Sequence, residues 1–333
     1  MSRVLITGAN GFIGSNLCRW LRERGWEVTG LVRESSDLHF LEGLGIDLVK
    51  GDLRFPEAIE LPAGTTHVVH AAALVSDMAS EDDCESNISG MTGAFVGKLE
   101  GSGIPLRRFV YISSALTLGF EGRDISEAKP GRSADFMPYV RHKKRTEGLL
   151  LGKFASDGFP VVILRPADVF GPNDRVTCAN ILRGSERGTP LIAGSGKWRF
   201  AYCYVGNLCQ AVELALTKEG IEGRAYTVTN GALPTWREFF RALQKGIGKK
   251  QRIYVPVWSA YALAALSGLL HRVYPRFKQE LNYYRIRRIT TETTYDISRT
   301  VAELGYRPDD DNERQFAEIV AWYKKERECG RLA

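Results

Sequence analysis

Long hydrophobic runs, clustered cysteines and a one-sided charge are all missing from this 333-residue chain. With 44% hydrophobic and 25% charged residues, neither whole-chain disorder nor a multi-span membrane protein fits. The six cysteines are scattered (Cys18, Cys84, Cys178, Cys203, Cys209, Cys329), with no CxxC and no Cys/His pair at ligand spacing. No metal is therefore expected. Forty-five Lys and Arg against 39 Asp and Glu leave +6, too mild an excess to point to nucleic acid, though it suits an anionic cofactor. No internal repeat, low-complexity tract or secretory-type leader is found, so a cytoplasmic protein with reduced thiols is expected.

What is present is alternation. Short β-branched runs predict strands at 4–7, 27–32, 47–50, 67–71, 108–112, 160–164 and 225–228. Helical patterns lie between them near 13–24, 85–101 and 137–157. Continuous apolar strands separated by helices indicate a parallel sheet covered on both faces, the doubly wound α/β class. The late strand near 225 implies an insertion at about 171–200. From Pro234 the pattern turns helical and more basic, with helices predicted at 236–247, 258–270 and 312–328. Two domains are expected: a Rossmann-type nucleotide domain over 1–170 with a returning segment 203–230, and a smaller, mostly helical substrate-binding domain over 171–202 and 231–333.

Gly8-Ala9-Asn10-Gly11-Phe12-Ile13-Gly14 follows the first strand at once and opens a helix. Glycines at this spacing permit a tight turn and let backbone N–H groups reach a pyrophosphate at the positive helix end. At the end of the second strand, an acid would bind the 2′-hydroxyl of NAD and an arginine the 2′-phosphate of NADP. Arg33 takes that place, followed by Glu34, so NADP is the expected cofactor, with NAD the alternative. Asp52, before Leu53, could accept from the adenine amino group. Small residues Ala71, Ala72 and Ala73 after His70 would let backbone lie against the cofactor.

Tyr139 and Lys143 stand four residues apart on one face of a predicted helix. A free tyrosine titrates near 10, so use as a base at neutrality requires moving it by up to about three pH units, roughly 4 kcal/mol. A fixed cation pushes in that direction. Twenty-five residues earlier, Ser113 and Ser114 end the fifth strand at the carboxyl edge of the sheet, where open α/β folds bind ligands.

The ordered segments TGANGFIG, Gly51-Asp52-Leu53, HAAA, NISGMTG with Asn87 and Gly90, YISSALTLG, YVRHK and LRPADVFGP resemble the extended short-chain dehydrogenase/reductase superfamily over nearly the whole chain. The resemblance implies that Ser114 orients the reacting oxygen, Tyr139 is the acid/base and Lys143 supports it while binding the ribose. It also implies that Pro166, Ala167 and Val169 pass the nicotinamide, that Asn87 lies near the active site, and that the protein is a homodimer through helices near 85–101 and 137–157. The tyrosine of the family's V-Y-G signatures is replaced by Leu118 and Phe170. Ala115-Leu116 stand where sugar-nucleotide dehydratases carry Asp-Glu, which disfavours elimination. Phe200 and Ala201 replace the Arg and Asp of the epimerase stretch that holds a diphosphate, with Arg199 and Lys197 close enough to substitute.

These departures look more like the 3β-hydroxysteroid dehydrogenase branch. They imply an NADP-preferring oxidoreductase interconverting a secondary alcohol and a ketone on an apolar, sterol-like or β-keto, small-molecule substrate. A nucleotide-sugar 4-epimerase is the alternative. A non-catalytic NAD(P) sensor or scaffold is a second one, and the presence of both Tyr139 and Lys143 counts against it. The apolar segment 256–270, followed by His271, Arg272, Arg276 and Lys278, could roof the substrate pocket, with Trp258, Tyr261 and Leu266 as walls. It could instead make peripheral contact with a membrane over 256–275, or be an ordinary buried helix; it is too short to span a bilayer.

Overall fold

A computed structural model describes residues 2–188, 192–249, 254–274 and 282–332. Arg276 and Lys278 lie outside the described residues. Seven parallel strands form the central sheet: β1 (Arg3–Thr7), β2 (Glu27–Val32), β3 (Asp47–Lys50), β4 (His67–His70), β5 (Arg108–Ile112), β6 (Val161–Pro166) and β7 (Arg224–Val228). Their order is β7-β6-β5-β4-β1-β2-β3. The chain thus winds outward in both directions from β1, and the strand order reverses between β1 and β4. That is the Rossmann-type arrangement, whose ligand crevice opens at the carboxyl ends beside the reversal.

Burial explains the strand composition. β4 and β5 are buried at every residue and β1 at all but its first, which suits a sheet covered on both faces. One face packs under α1 (Phe12–Glu23) and α5 (Val205–Thr217), with Leu17, Cys18, Leu21, Leu208 and Val212 in the core. The other packs under α2 (Gly90–Gly101) and α3 (Pro138–Asp157) through Phe95, Leu99 and Leu150. Pro138 starts α3 where a missing N–H costs nothing, and Gly158 ends it at φ 69°.

The rest of the chain builds a second, aromatic core. Phe170, Phe200, Tyr202, Trp236, Phe239 and Phe316 cluster among α4 (Thr177–Arg187), α6 (Trp236–Gly246) and α9 (Asn312–Glu328). Two small parallel pairings stitch this part to the sheet: Asp168–Phe170 with Tyr202–Tyr204, and Gly122–Ile125 with Thr293–Tyr295. The second carries α8 (Tyr283–Thr290) over the end of β5. α7 (Val257–Val273) lies outside α8, packing on it through Ala260, Ala264 and Ile286. No helix among the described residues is long and apolar enough to cross a membrane.

Candidate active site

The glycine loop folds as its spacing requires. Gly8 adopts φ +65°, and a Cβ there would sit 2.9 Å from the Ala72 Cα. At Gly14 a Cβ would fall 2.1 Å from the Gly8 carbonyl oxygen. α1 starts after Gly11 with no side chain capping its first amides, leaving these donors to an anion. This cradle, closed to any side chain, has the shape and free backbone donors that a dinucleotide pyrophosphate would need. His70 fastens the β1 and β4 ends. Its Nδ1 and Nε2 lie 3.0 Å from the Thr7 and Thr92 hydroxyls, and the Thr7 hydroxyl accepts from the Ala72 amide at 3.1 Å. Thr92 gives its proton to the Ile88 carbonyl, so Nε2 carries the imidazole hydrogen. Burial, with the Lys143 charge adding, pushes His70 down to about 3 and keeps it neutral.

At the β2 edge, Arg33 is exposed and has no ion-pair partner among the described residues. Glu34 is instead taken by Lys50, 2.6 Å away. Asp52 accepts from the backbone and guanidinium of Arg54, and this arginine holds its carboxyl below the usual range. Leu53 is buried in the sheet core rather than turned outward.

Three segments meet at the carboxyl end of β5. Ser114 begins a 3₁₀ turn (Ala115–Leu118), its hydroxyl accepting from the Leu116 amide at 3.3 Å. Tyr139 and Lys143 project from the first turns of α3, and all three side chains are buried. The Lys143 ammonium donates to the Ile112 carbonyl at 2.7 Å and lies 4.7 Å from the Tyr111 ring centre and 5.9 Å from that of Tyr139. Burial pushes Lys143 down to about 7 against the opposing charge of Glu147. Burial likewise pushes the Tyr139 phenol up to about 12, with the Ser114 hydroxyl pulling the other way. The downward shift expected for the phenol is thus not produced by these residues alone, because desolvation outweighs a lysine turned toward a backbone carbonyl.

Below them lies a group that sequence reasoning missed. Glu147, one turn after Lys143, accepts from Ser113 Oγ at 2.5 Å and from Arg165 Nη2 at 2.7 Å, with Thr117 Oγ1 at 3.4 Å. Arg165 also reaches Glu127 at 2.6 Å. One buried ion pair therefore ties the Ser114 turn, the Tyr139 helix and the strand before Pro166 together. The signal was available: Glu147 repeats the i+4 spacing of Tyr139 and Lys143. Asn87, by contrast, donates to the Asp83 carbonyl of its own helix at 2.9 Å. It occupies a single π-helical turn, Glu85–Ser89.

Ser114 opens into a cavity lined by Leu116, Phe120, Ala167, Phe200, Ala201 and Tyr284, among others. Its water-accessible space is about 40 Å³. Arg199 is exposed and outside it, so no cation substitutes from that stretch. A different one is present. Arg288 of α8 lines the cavity and pairs with Asp168 at 2.6 and 3.0 Å. Burial works against its charge, and Asp168 more than compensates, raising its pKa. Two further pairs hold α8 down, Arg285 to Asp77 at 2.8 Å and Arg287 to Glu121 at 2.6 Å. The expected walls Trp258, Tyr261 and Leu266 do not line the cavity. α8 intervenes, and Trp258 and Leu266 face outward.

Compared with known proteins, residues 4–229 match the NAD dependent epimerase/dehydratase family. The chain belongs to that family. It is 31% identical to sterol demethylase protein B of Methylococcus capsulatus, over 96% of this chain and 98% of the relative. A Stigmatella aurantiaca protein, 4-hydroxy-2-methyl-3-oxo-4-farnesyl-3,4-dihydroquinoline-1-oxide ketoreductase, is 27% identical over 91% of each chain. In fold it resembles the NAD complex of UDP-glucuronic acid 4-epimerase from Bacillus cereus, with TM-score 0.75 and 19% identity over 97% of this chain and 99% of that one. The family member described here is thus an enzyme of the extended short-chain dehydrogenase/reductase type that uses NAD(P). No cluster of three or more side chains suited to a metal ion occurs among the described residues.

Proposed function

We propose that the protein interconverts a secondary alcohol and a ketone on an apolar substrate, with NADP preferred over NAD. The observation that carries this reading is the cavity at Ser114. Its walls are mostly apolar, Phe200 and Ala201 stand in it, and the one cation lining it among the described residues, Arg288, is paired with Asp168. A pyrophosphate entering such a site loses hydration and meets no unpaired cation among the described residues, whereas an apolar ketone gains about 25 cal/mol for each Å² it buries. The names of the Stigmatella and Methylococcus relatives agree with it.

The bound nicotinamide supplies the hydride donor or acceptor. Ser114 hydrogen-bonds the substrate oxygen and Tyr139 transfers the proton. Near neutrality a phenol at about 12 holds its proton, which suits ketone reduction. Lys143 binds the ribose and supports Tyr139. Gly8, Asn10, Gly11, Phe12, Ile13 and Gly14 hold the pyrophosphate. Ala71, Ala72, Ala73, Asp52 and the backbone of Leu53 flank the adenosine, and Pro166, Ala167 and Val169 the nicotinamide. In this reading residues 1–170 with 203–230 form the nucleotide half, 171–202 with 231–333 form the substrate half, and the protein is a cytoplasmic homodimer.

Cofactor choice follows from Arg33, which is unpaired by any described acid while Glu34 is occupied by Lys50. A guanidinium on a 2′-phosphate is a charge-assisted contact, so Arg33→Ala should weaken NADP binding by roughly 1.5–3 kcal/mol and leave NAD unchanged. Titration of both cofactors checks this; equal affinities in the unmutated protein would refute the preference.

Arg288 is the specific observation that favours an epimerase instead, since a nucleotide sugar could displace Asp168 from it. Calorimetric titration of the NADP-bound protein with a UDP-hexose separates the two. The ketone reading predicts no heat. Micromolar binding that disappears in Arg288→Ala would move the assignment to the epimerase.

A further inference from the structure

α7 turns Ala260, Tyr261 and Ala264 toward α8 and most of its larger apolar residues outward. Ala260 and Ala264 are buried against Ile286, while Trp258, Leu266, Leu269 and Val273 are 73%, 55%, 58% and 63% exposed. Leu263 and Tyr274 lie beside them, also exposed. Positions 258, 266, 269 and 273 fall along one helical stripe. Scattered apolar surface residues are ordinary, but a contiguous stripe marks an interaction surface.

Charge identifies the occupant. The helix has no Asp or Glu and ends in His271 and Arg272. Across the longer stretch between Glu238 and Glu280 the sequence contains eight Lys and Arg and no acid. We infer that this face docks on an anionic lipid bilayer, with α7 lying flat in the headgroup region. An apolar stripe with aromatic residues near its ends, no acid, and a cation in its last turn is the pattern of an interfacial helix. A second copy of the chain fits less well, because a two-fold interface would bring two acid-free basic stretches together. At about 1.5 Å per residue the helix is too short to span a ~30 Å hydrocarbon core.

The arrangement also relates bilayer and cavity. α8 packs beneath α7, with Tyr261 and Tyr283 rings 5.4 Å apart, and its opposite side presents Tyr284 and Arg288 to the cavity. A single helix thus separates the lipid-facing stripe from the site. The docking surface itself stands independently of the substrate reading.

The test is flotation of the full chain with phosphatidylcholine vesicles, with and without phosphatidylglycerol, at low and high salt. The expected result is binding to the anionic vesicles that weakens with salt. It should fall about tenfold or more in Trp258→Ser/Leu266→Ser, and by less in Arg272→Gln. Thermal melts of each variant establish that it is folded, and the salt series on the unmutated chain needs no variant. Absence of binding to anionic vesicles, or binding unchanged in the folded double variant, would overturn the inference. So would a concentration-dependent dimer lost in that variant, which would assign the stripe to a second copy.

Discussion

Replacing Tyr139 with phenylalanine should lower the turnover rate by about 10²–10⁴ while cofactor affinity stays within a few-fold of the parent. The ring is buried at the start of α3, so the variant keeps the packing of its surroundings against Phe120, Met137 and Tyr284. Only the hydroxyl is lost. Because burial holds that hydroxyl protonated up to about 12, its removal deletes the proton donor in the reducing direction. Stopped-flow reduction with NADPH and cofactor titration by fluorescence measure the two quantities separately. A variant turning over within a few-fold of the parent would remove Tyr139 from the chemistry.

The second large effect concerns stability. Glu147→Ala leaves Arg165 buried with only Glu127, whose side chain is 56% exposed, to balance it. Ser113 Oγ loses its acceptor in the same change, while Thr117 Oγ1 keeps the Ser114 carbonyl at 2.8 Å. Breaking a buried pair from one side typically costs about 3–5 kcal/mol. The retained Glu127 contact places the expectation near the lower end, at about 3 kcal/mol. Glu147→Gln, which keeps an acceptor for Ser113, should lose less. Urea midpoints followed by circular dichroism read both variants; a loss below about 1 kcal/mol in Glu147→Ala would show that solvent or Glu127 already satisfies Arg165.

The sheet and the nucleotide loop were legible because their determinants are local. The β-branched runs, the glycine spacing and the Tyr139–Lys143 register each occupy a few adjacent residues, and the structure brings Ser114, Tyr139 and Lys143 to one strand end. What escaped depends on contacts between distant segments. Arg288 reaches the cavity only because Thr293–Tyr295 pairs with Gly122–Ile125, and nothing in the local sequence announces that pairing. α7 illustrates a related difficulty. Its composition is that of a buried helix or a pocket roof, yet α8 occupies the roof, and most of the larger side chains of α7 point away from the protein. Glu147 is the intermediate case. Its spacing was visible, but its partner Arg165 lies on a strand 18 residues later. The electrostatics were equally hidden, because the sequence shows a lysine one turn from a tyrosine and not the depth at which both are buried.

The central claim is that hydride and proton reach an apolar ketone at Ser114 and Tyr139. The most direct measurement is NADPH consumption by the purified enzyme against a panel of apolar ketones and β-keto compounds, run beside UDP-sugars under the same conditions. Saturable oxidation with an apolar ketone, abolished in Tyr139→Phe, is the predicted result. Interconversion of a UDP-sugar without net cofactor turnover, and no oxidation with any ketone, would contradict it.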